Sequence, residues 1–270
     1  NPNVAYKIGE NWSIALGVDW IDVELNNFSR NFPASGEVPV EPLFDLQGTG
    51  DEFGWNAALS YRGANWAFGF SYRSGFEVDL EGTAVVLFPN TPLEPNRQGA
   101  SGTLDLPETW AIGVAYLGWE KWEIEFDMHK INWSSFDELP ISLEQGLVVD
   151  GQPVTQLVTE ENWVDTSSWR LGAARKVGER GELRFGIYWE DKTIPQETLR
   201  PSIPDSDRTG LTLGYGYRIS EGMHLDAFAM HIETASRSTT IQDFLADNSV
   251  PAGDYESSID LIGVSLGFKL

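Results

Sequence analysis

The chain has no cysteine, which excludes a disulfide framework and a thiolate metal site. No apolar run approaches the ~18–20 residues that a membrane-spanning helix requires. Basic residues are scarce, 18 Lys and Arg against 41 Asp and Glu, for a formal charge of -23. A chain so acidic repels nucleic acid phosphates, so no nucleic acid partner is expected. Those acids are spread along the chain, so they do not form an acidic tail. Only three histidines are present, and helical periodicity is hard to find. The chain opens at Asn1 with neither a methionine nor a signal peptide, and so reads as a processed or truncated product.

What it does have is aromatic residues (11 Trp, 14 Phe, 8 Tyr), 27 glycines and a period of two. In Trp12–Trp20 one face carries Trp12, Ile14, Leu16, Val18 and Trp20, and the other Ser13, Ala15, Gly17 and Asp19. Eight residues at ~3.3 Å each, tilted by ~40°, set the two tryptophans roughly 20 Å apart along a membrane normal. That approaches the ~25 Å apolar band, edged by aromatic girdles, of an outer-membrane β-barrel. The pattern recurs from Trp55, Trp66, Trp110, Trp122, Leu183 and Leu211, with aromatics at the ends of each apolar face. A soluble sandwich also alternates, but around a Val/Ile-centred apolar face with more charge opposite. The expected fold is all-β, a transmembrane antiparallel barrel formed by residues 1–270 as one domain.

About eleven strands are expected: 2–8, 12–25, 54–63, 66–82, 102–117, 122–133, 166–177, 182–192, 209–219, 223–236 and 257–270. Short links alternate with long ones near 26–53, 83–101, 134–165, 193–208 and 237–256, which hold most of the proline. Short periplasmic turns and long external loops are the asymmetry of such barrels. The last strand then descends to the periplasm, alternating Ile262, Val264, Leu266, Phe268 and Leu270 like a terminal recognition strand. Counting back, Asn1 falls on the outer side. Closed bacterial barrels have an even strand count, so an odd number of strands is expected upstream.

Several segments resemble, in order, the fatty acid and aromatic-hydrocarbon transporters of the outer membrane. They are Asn1–Lys7, Gly54–Arg62, Phe70–Ser74 with Asp79–Gly82, Leu106–Trp110, Trp133–Asp137, Asn162–Asp165 with Trp169-Arg170, and Ile203–Arg208. The resemblance implies fourteen strands and an N-terminal hatch, of which the hatch and the first three strands are missing here. It implies passive uptake: a hydrophobic molecule is caught by external loops, enters the barrel and leaves sideways through the wall. The implied partners are that small molecule, outer-membrane lipid and lipopolysaccharide, and the barrel assembly machinery during insertion. A monomer with no cofactor is implied. Members hold a fatty acid headgroup with basic residues. By counting, one such position falls on Glu24, which favours a neutral hydrocarbon. A general porin or structural barrel is the alternative, and a barrel-embedded hydrolase a third reading.

On the polar parity lie Asp19, Arg62, Arg73, Glu125, Asp127, His129, Arg170, Arg184 and Arg218, candidates to line the lumen or meet a headgroup. The competing reading is a salt-bridged network, because unpaired buried charge is costly. His129 and Asp127 share a face as a hydrogen-bonded pair, whereas His224 and His231 face opposite sides and cannot share an ion. No Ser-His-acid arrangement appears, so no catalytic residue and no enzyme activity is expected. The acids Asp51-Glu52, Glu160-Glu161, Asp205 and Asp207 read as solvated loop residues rather than a divalent-ion site. In Ile203–Arg208 the aspartates are placed to cap backbone amides. Val85, Leu87 and Phe88, and the stretch Ile141 to Leu143 with Leu147 and Val148, are candidate external capture residues.

Overall fold

The computed structural model describes residues 1–31, 43–87, 94–149, 152–200, 203–240 and 252–269. The strands are β1 (Asn3–Ile8), β2 (Trp12–Asn31), β3 (Leu43–Arg62), β4 (Trp66–Arg73), β5 (Phe76–Leu87) and β6 (Asn96–Leu106). There follow β7 (Thr109–Tyr116), β8 (Trp122–Ile131), β9 (Glu138–Val149), β10 (Gln152–Glu160), β11 (Thr166–Val177) and β12 (Gly181–Glu190). The chain ends with β13 (Arg208–Ser220), β14 (Met223–Thr234), β15 (Arg237–Thr239), β16 (Gly253–Tyr255) and β17 (Ser258–Phe268).

Eleven of the spans form one antiparallel meander in chain order, with β4–β5 and β6–β7 each a single span bent once. The edges are β1, paired only with β2, and β17, paired only with β14. β4 and β7 bend into β5 and β6 at Ser74-Gly75 and Pro107-Glu108, where proline offers no N–H to the ladder. Between the pairs Asn56↔Arg73 and Gly48↔Gly82 this hairpin gains one residue on the β4–β5 span, a bulge. The residues facing inward therefore change parity, from Arg73 below the bend to Val78 and Leu80 above it. At the join, a Cβ on Gly82 would fall on the Gln47 carbonyl oxygen, so only glycine lets β5 close on β3.

On the outer face, apolar side chains stand exposed: Leu16 at 61%, Leu211 at 56% and Phe268 at 65%. Their number and continuity describe a surface made for hydrocarbon. Aromatics bound it at two levels. Near the short turns Trp12 packs on Tyr61 at 4.9 Å and Trp66 on Tyr116 at 4.8 Å. At the other level Trp20, Trp55, Trp169 and Trp189 are exposed, and Trp55 packs on Tyr72 at 4.8 Å.

The stretches read as long loops are largely strand. β2, β3, β5 and β6 run well past the upper girdle, and the 134–165 link carries the β9–β10 hairpin. Within 237–256 lies the small β15–β16 ribbon, and the described residues of 193–207 hold only an isolated bridge, Arg200↔Ile203.

Candidate functional site

Two environments share the inner face, divided at the level of Trp20. Along β2 the apolar parity switches there. Below it the outward residues are apolar; above it Asp22 and Glu24 are exposed, and Ile21, Val23 and Leu25 turn inward, half-buried. β5 shows the same upper pattern, with Val78, Leu80, Ala84 and Val86 buried inward and Glu77, Asp79 and Glu81 exposed. Strands that leave the membrane meet water on their outer side, so their apolar residues must go inside.

Those inward side chains make an apolar pocket of about 190 Å³ between the upper wall and β9. Val23, Leu25, Leu46, Leu80 and Leu104 line one side, and Phe136, Leu139, Pro140 and Ile141 the other. Gly48, Gly82 and Gly102 form a flat floor. Among the described residues no Lys or Arg lines it. β9 is held by a short register, Ala100↔Leu143 to Gly102↔Ile141, and packs Leu143 against Leu46, Ala84 and Val86. Gln98, buried in β6, supports the hairpin by donating to the Gly146 carbonyl at 3.2 Å and accepting from the Gln145 N–H at 2.9 Å.

Below the girdle the inner face is charged. Asp19, 6% exposed, is 3.3 Å from Arg73 Nε and accepts from Asn56 Nδ2 at 3.0 Å. Arg184 donates to Glu182 and Asp226, both at 2.7 Å. Arg208 lies 3.2 Å from Glu190 and 2.9 Å from Asp205. Glu125, Asp127, Arg170, Arg184, Tyr188 and Asp226 surround a cavity of about 560 Å³. The Tyr188 ring lies over Gly210, where any Cβ would overlap it, so this inward glycine makes room for a ring. Arg218 donates to the Glu179 carbonyl at 2.7 Å, at the short-turn end. Arg62 has no ion pair among the described residues.

Thus the nine polar-parity residues share the inner face, and of their five arginines Arg73 and Arg184 are ion-paired among the described residues. The partner of His129 differs from expectation: its Nε2 meets Arg170 Nη1 at 3.1 Å. Asp127 lies two residues along the same strand, whereas the long guanidinium reaches across from β11. A guanidinium only donates, so Nε2 is the acceptor and the ring is the neutral Nδ1–H tautomer. His224 and His231 do face opposite sides, His231 meeting Asp260 at 2.8 Å and His224 meeting Asp226 at 3.6 Å.

Two of the loop acids are not solvated. Glu161 is buried, bonded by Arg200 Nη1 at 2.7 Å and by Trp163 Nε1 at 3.2 Å. Asp205 accepts from the Thr193 and Ile194 amides at 2.5 and 2.8 Å, and Asp207 from Lys192 N at 2.8 Å, the capping expected of that motif. Glu24 points outward, away from the pocket lined by Val23 and Leu25, so it has no bearing on a headgroup inside. Val85 and Leu87 belong to β5, on the parity opposite the buried Ala84 and Val86. Leu147 and Val148 belong to the β9 backbone, and Phe88 lies outside the described residues. Of the pocket residues, the sequence singles out only Ile141 as a capture candidate; the signal for the others was the change of apolar parity after Trp20.

The fold and this sequence have relatives. The profile described as "Outer membrane protein transport protein (OMPP1/FadL/TodX)" matches residues 1–269. A long-chain fatty acid transport protein of Salmonella typhi is 28% identical over 252 residues, 84% of this chain and 56% of that protein. Outer membrane protein P1 of Haemophilus influenzae is 24% identical over 84% of this chain and 53% of its own length. The chain therefore spans a little over half the length of these curated relatives. Among solved structures, a Pseudomonas aeruginosa FadL homologue superposes with a TM-score of 0.72 at 18% identity, covering 98% of this chain and 66% of that one. The Pseudomonas putida toluene transporter TodX gives 0.68 at 16% identity, covering 98% and 67%. With an outward apolar belt, two aromatic girdles and a match along nearly its whole length, the chain belongs to the OMPP1/FadL/TodX family of outer-membrane transport proteins.

Proposed function

We propose that the protein is part of a passive route for hydrophobic molecules across the outer membrane, with the apolar pocket at its external rim as the place of first binding. The observation that carries this is the reversal of apolar parity above Trp20, which turns a continuous apolar surface inward where water lies outside. The pocket is smaller than the ~300–1,000 Å³ of drug-sized sites. It fits one aromatic ring or a short length of alkyl chain, and without a lining cation it offers a carboxylate no counter-ion. A neutral aromatic hydrocarbon is thus the preferred substrate, and the tail of a long-chain fatty acid the second. Relatives described as a long-chain fatty acid transport protein and a toluene transporter support that pair of classes.

On this reading the substrate is released sideways through the barrel wall, and Val85, Leu87, Phe88, Leu147 and Val148 take part in its capture. The charges of the inner face, Asp19 to Arg218, then give the passage its form rather than gripping the cargo. The protein acts as a monomer without a cofactor, inserted by the barrel assembly machinery among lipopolysaccharide.

Uptake by proteoliposomes tests the proposal, with labelled toluene, oleate and glucose compared. Saturable entry of toluene or oleate without glucose is the expected result. Entry of glucose at equal or greater rate, with no saturable hydrophobic uptake, would return the general porin reading. The charged inner face and its cavity of about 560 Å³ are the features that favour that second reading.

A further inference from the structure

Among the described residues, a cation on the outer, lipid-facing surface has no anionic partner. Arg175 leaves β11 on the same parity as the exposed Trp169, Leu171 and Val177, level with Trp122 on β8 and Leu183 on β12. It is three residues from the Gly178 turn, inside the girdle that Tyr116, Trp119, Trp122, Tyr215 and Tyr217 form near the short turns. Its guanidinium carbon lies 5.3 Å from the centroid of the Trp122 ring. Among the described residues the guanidinium makes no hydrogen bond or ion pair, although Glu120 and Glu179 sit in the adjacent turns. Lys130, the outward cation at the other end of the wall, is by contrast matched by Asp165 at 3.3 Å.

An unpaired guanidinium at the edge of the hydrocarbon layer is unfavourable unless its charge reaches the interface and meets an anion there. The indole holds this one at headgroup depth by a cation–π contact instead of letting it bend toward the turn acids. The anions available at that depth are lipid phosphodiesters, whose oxygens match the planar donor array of arginine. The short turns identify this end as periplasmic, where the leaflet is phospholipid. We propose that Arg175, backed by Trp122, is a binding site for the phosphate of a phospholipid in the periplasmic leaflet. The site stands on the outside of the wall, so it is independent of what passes within.

Native mass spectrometry of the protein in mild detergent, titrated with dioleoyl phosphatidylglycerol, tests it. One lipid is expected to remain bound to the wild type, and Arg175→Gln to weaken that binding about tenfold, the scale of a lost charge-assisted hydrogen bond. Arg175→Lys should recover part of the loss. Arg180→Gln, the same charge change on the inner side of the turn, should leave binding intact. Trp122→Leu should weaken it severalfold, and it carries the test if Arg175→Gln does not fold, as judged by heat-modifiable gel mobility. Wild-type affinity in Arg175→Gln or in Trp122→Leu would overturn the proposal, as would an equal loss in Arg180→Gln. Displacement of the lipid by millimolar inorganic phosphate would also overturn it, making the site one for soluble anions.

Discussion

Arg73 reaches past the intervening strand β3 to place its Nε 3.3 Å from Asp19, so β2, β3 and β4 are tied below the upper girdle by a single buried carboxylate. The two partners are unequal: Asp19 is enclosed, whereas the arginine is half exposed. Arg73→Ala should therefore cost more, about 1–3 kcal/mol, because it strands a buried charge. Asp19→Ala should cost under about 1 kcal/mol, since the arginine it frees is solvated. Urea unfolding in lipid vesicles reads the difference, and equal costs would contradict the asymmetry.

Leu16 and Glu24 point outward from the same strand, eight residues apart and on opposite sides of Trp20. Leu16→Arg should destabilise by ~2–4 kcal/mol, as expected for arginine near the bilayer midplane. Glu24→Arg should change stability by less than ~0.5 kcal/mol, as for a surface site. The pair of measurements locates the membrane boundary, and a large cost for Glu24→Arg would move it outward.

In the apolar pocket, Ala100→Phe should fill the space between β6 and β9. Uptake of toluene is expected to fall by about tenfold or more, the value of losing a snug apolar contact. Insertion, read by gel mobility, should not change. Unaltered uptake would place first binding elsewhere.

Asp165 lies outside the membrane-spanning segments, and its carboxyl is held below the usual range chiefly by the Ser134 hydroxyl. The Ser134 amide and Lys130 act in the same direction, and desolvation acts against them. A depressed carboxylate stabilises fully above its unfolded pKa and loses that contribution as pH falls through the folded one. The link between β8 and β11 should therefore loosen only in acid below the ordinary carboxylate range. Asp165→Asn should cost about 1 kcal/mol at neutral pH, the scale of its hydrogen bonds. Hydrogen exchange at 132–136, followed against pH, should lose its acid step in that variant.

Glu161 and Arg200 form a largely buried pair in which Arg200 Nε and Nη2 find no acceptor among the described residues. Either single change, Arg200→Met or Glu161→Leu, should open the external loops by about 3 kcal/mol, measured as protease susceptibility. The double variant should cost less than either, because no stranded charge remains. An additive double variant would rule out the pair as a unit.

Reading the sequence for outward apolar alternation found all eleven spans of the wall, because lipid demands the same parity at every turn of the meander. It failed above Trp20 for a physical reason. There the outer side is water, the apolar residues change side, and Ile21, Val23 and Leu25 look like the end of a pattern rather than its inversion. The hairpin within 134–165 was hidden for the same reason and because its partner, β6, is far away in sequence. Inner-face charges such as Arg184 were legible as a parity; the cross-strand partner of Arg184, Asp226, was not, since that choice depends on strand order and stagger. Nor does any local pattern announce that the inward Gly210 is the bed of the Tyr188 ring, which comes from the neighbouring strand.

Among the described residues β9 pairs with the wall at three positions, Ala100↔Leu143 to Gly102↔Ile141, yet brings Leu139, Pro140 and Ile141 to one side of the pocket. On the proposed function, mutational drift in that hairpin would alter what is recognised without disturbing any residue that contacts lipid. Lineages sharing this barrel would thereby be free to exchange diets by editing a few rim positions, while the lipid-facing surface stays the same.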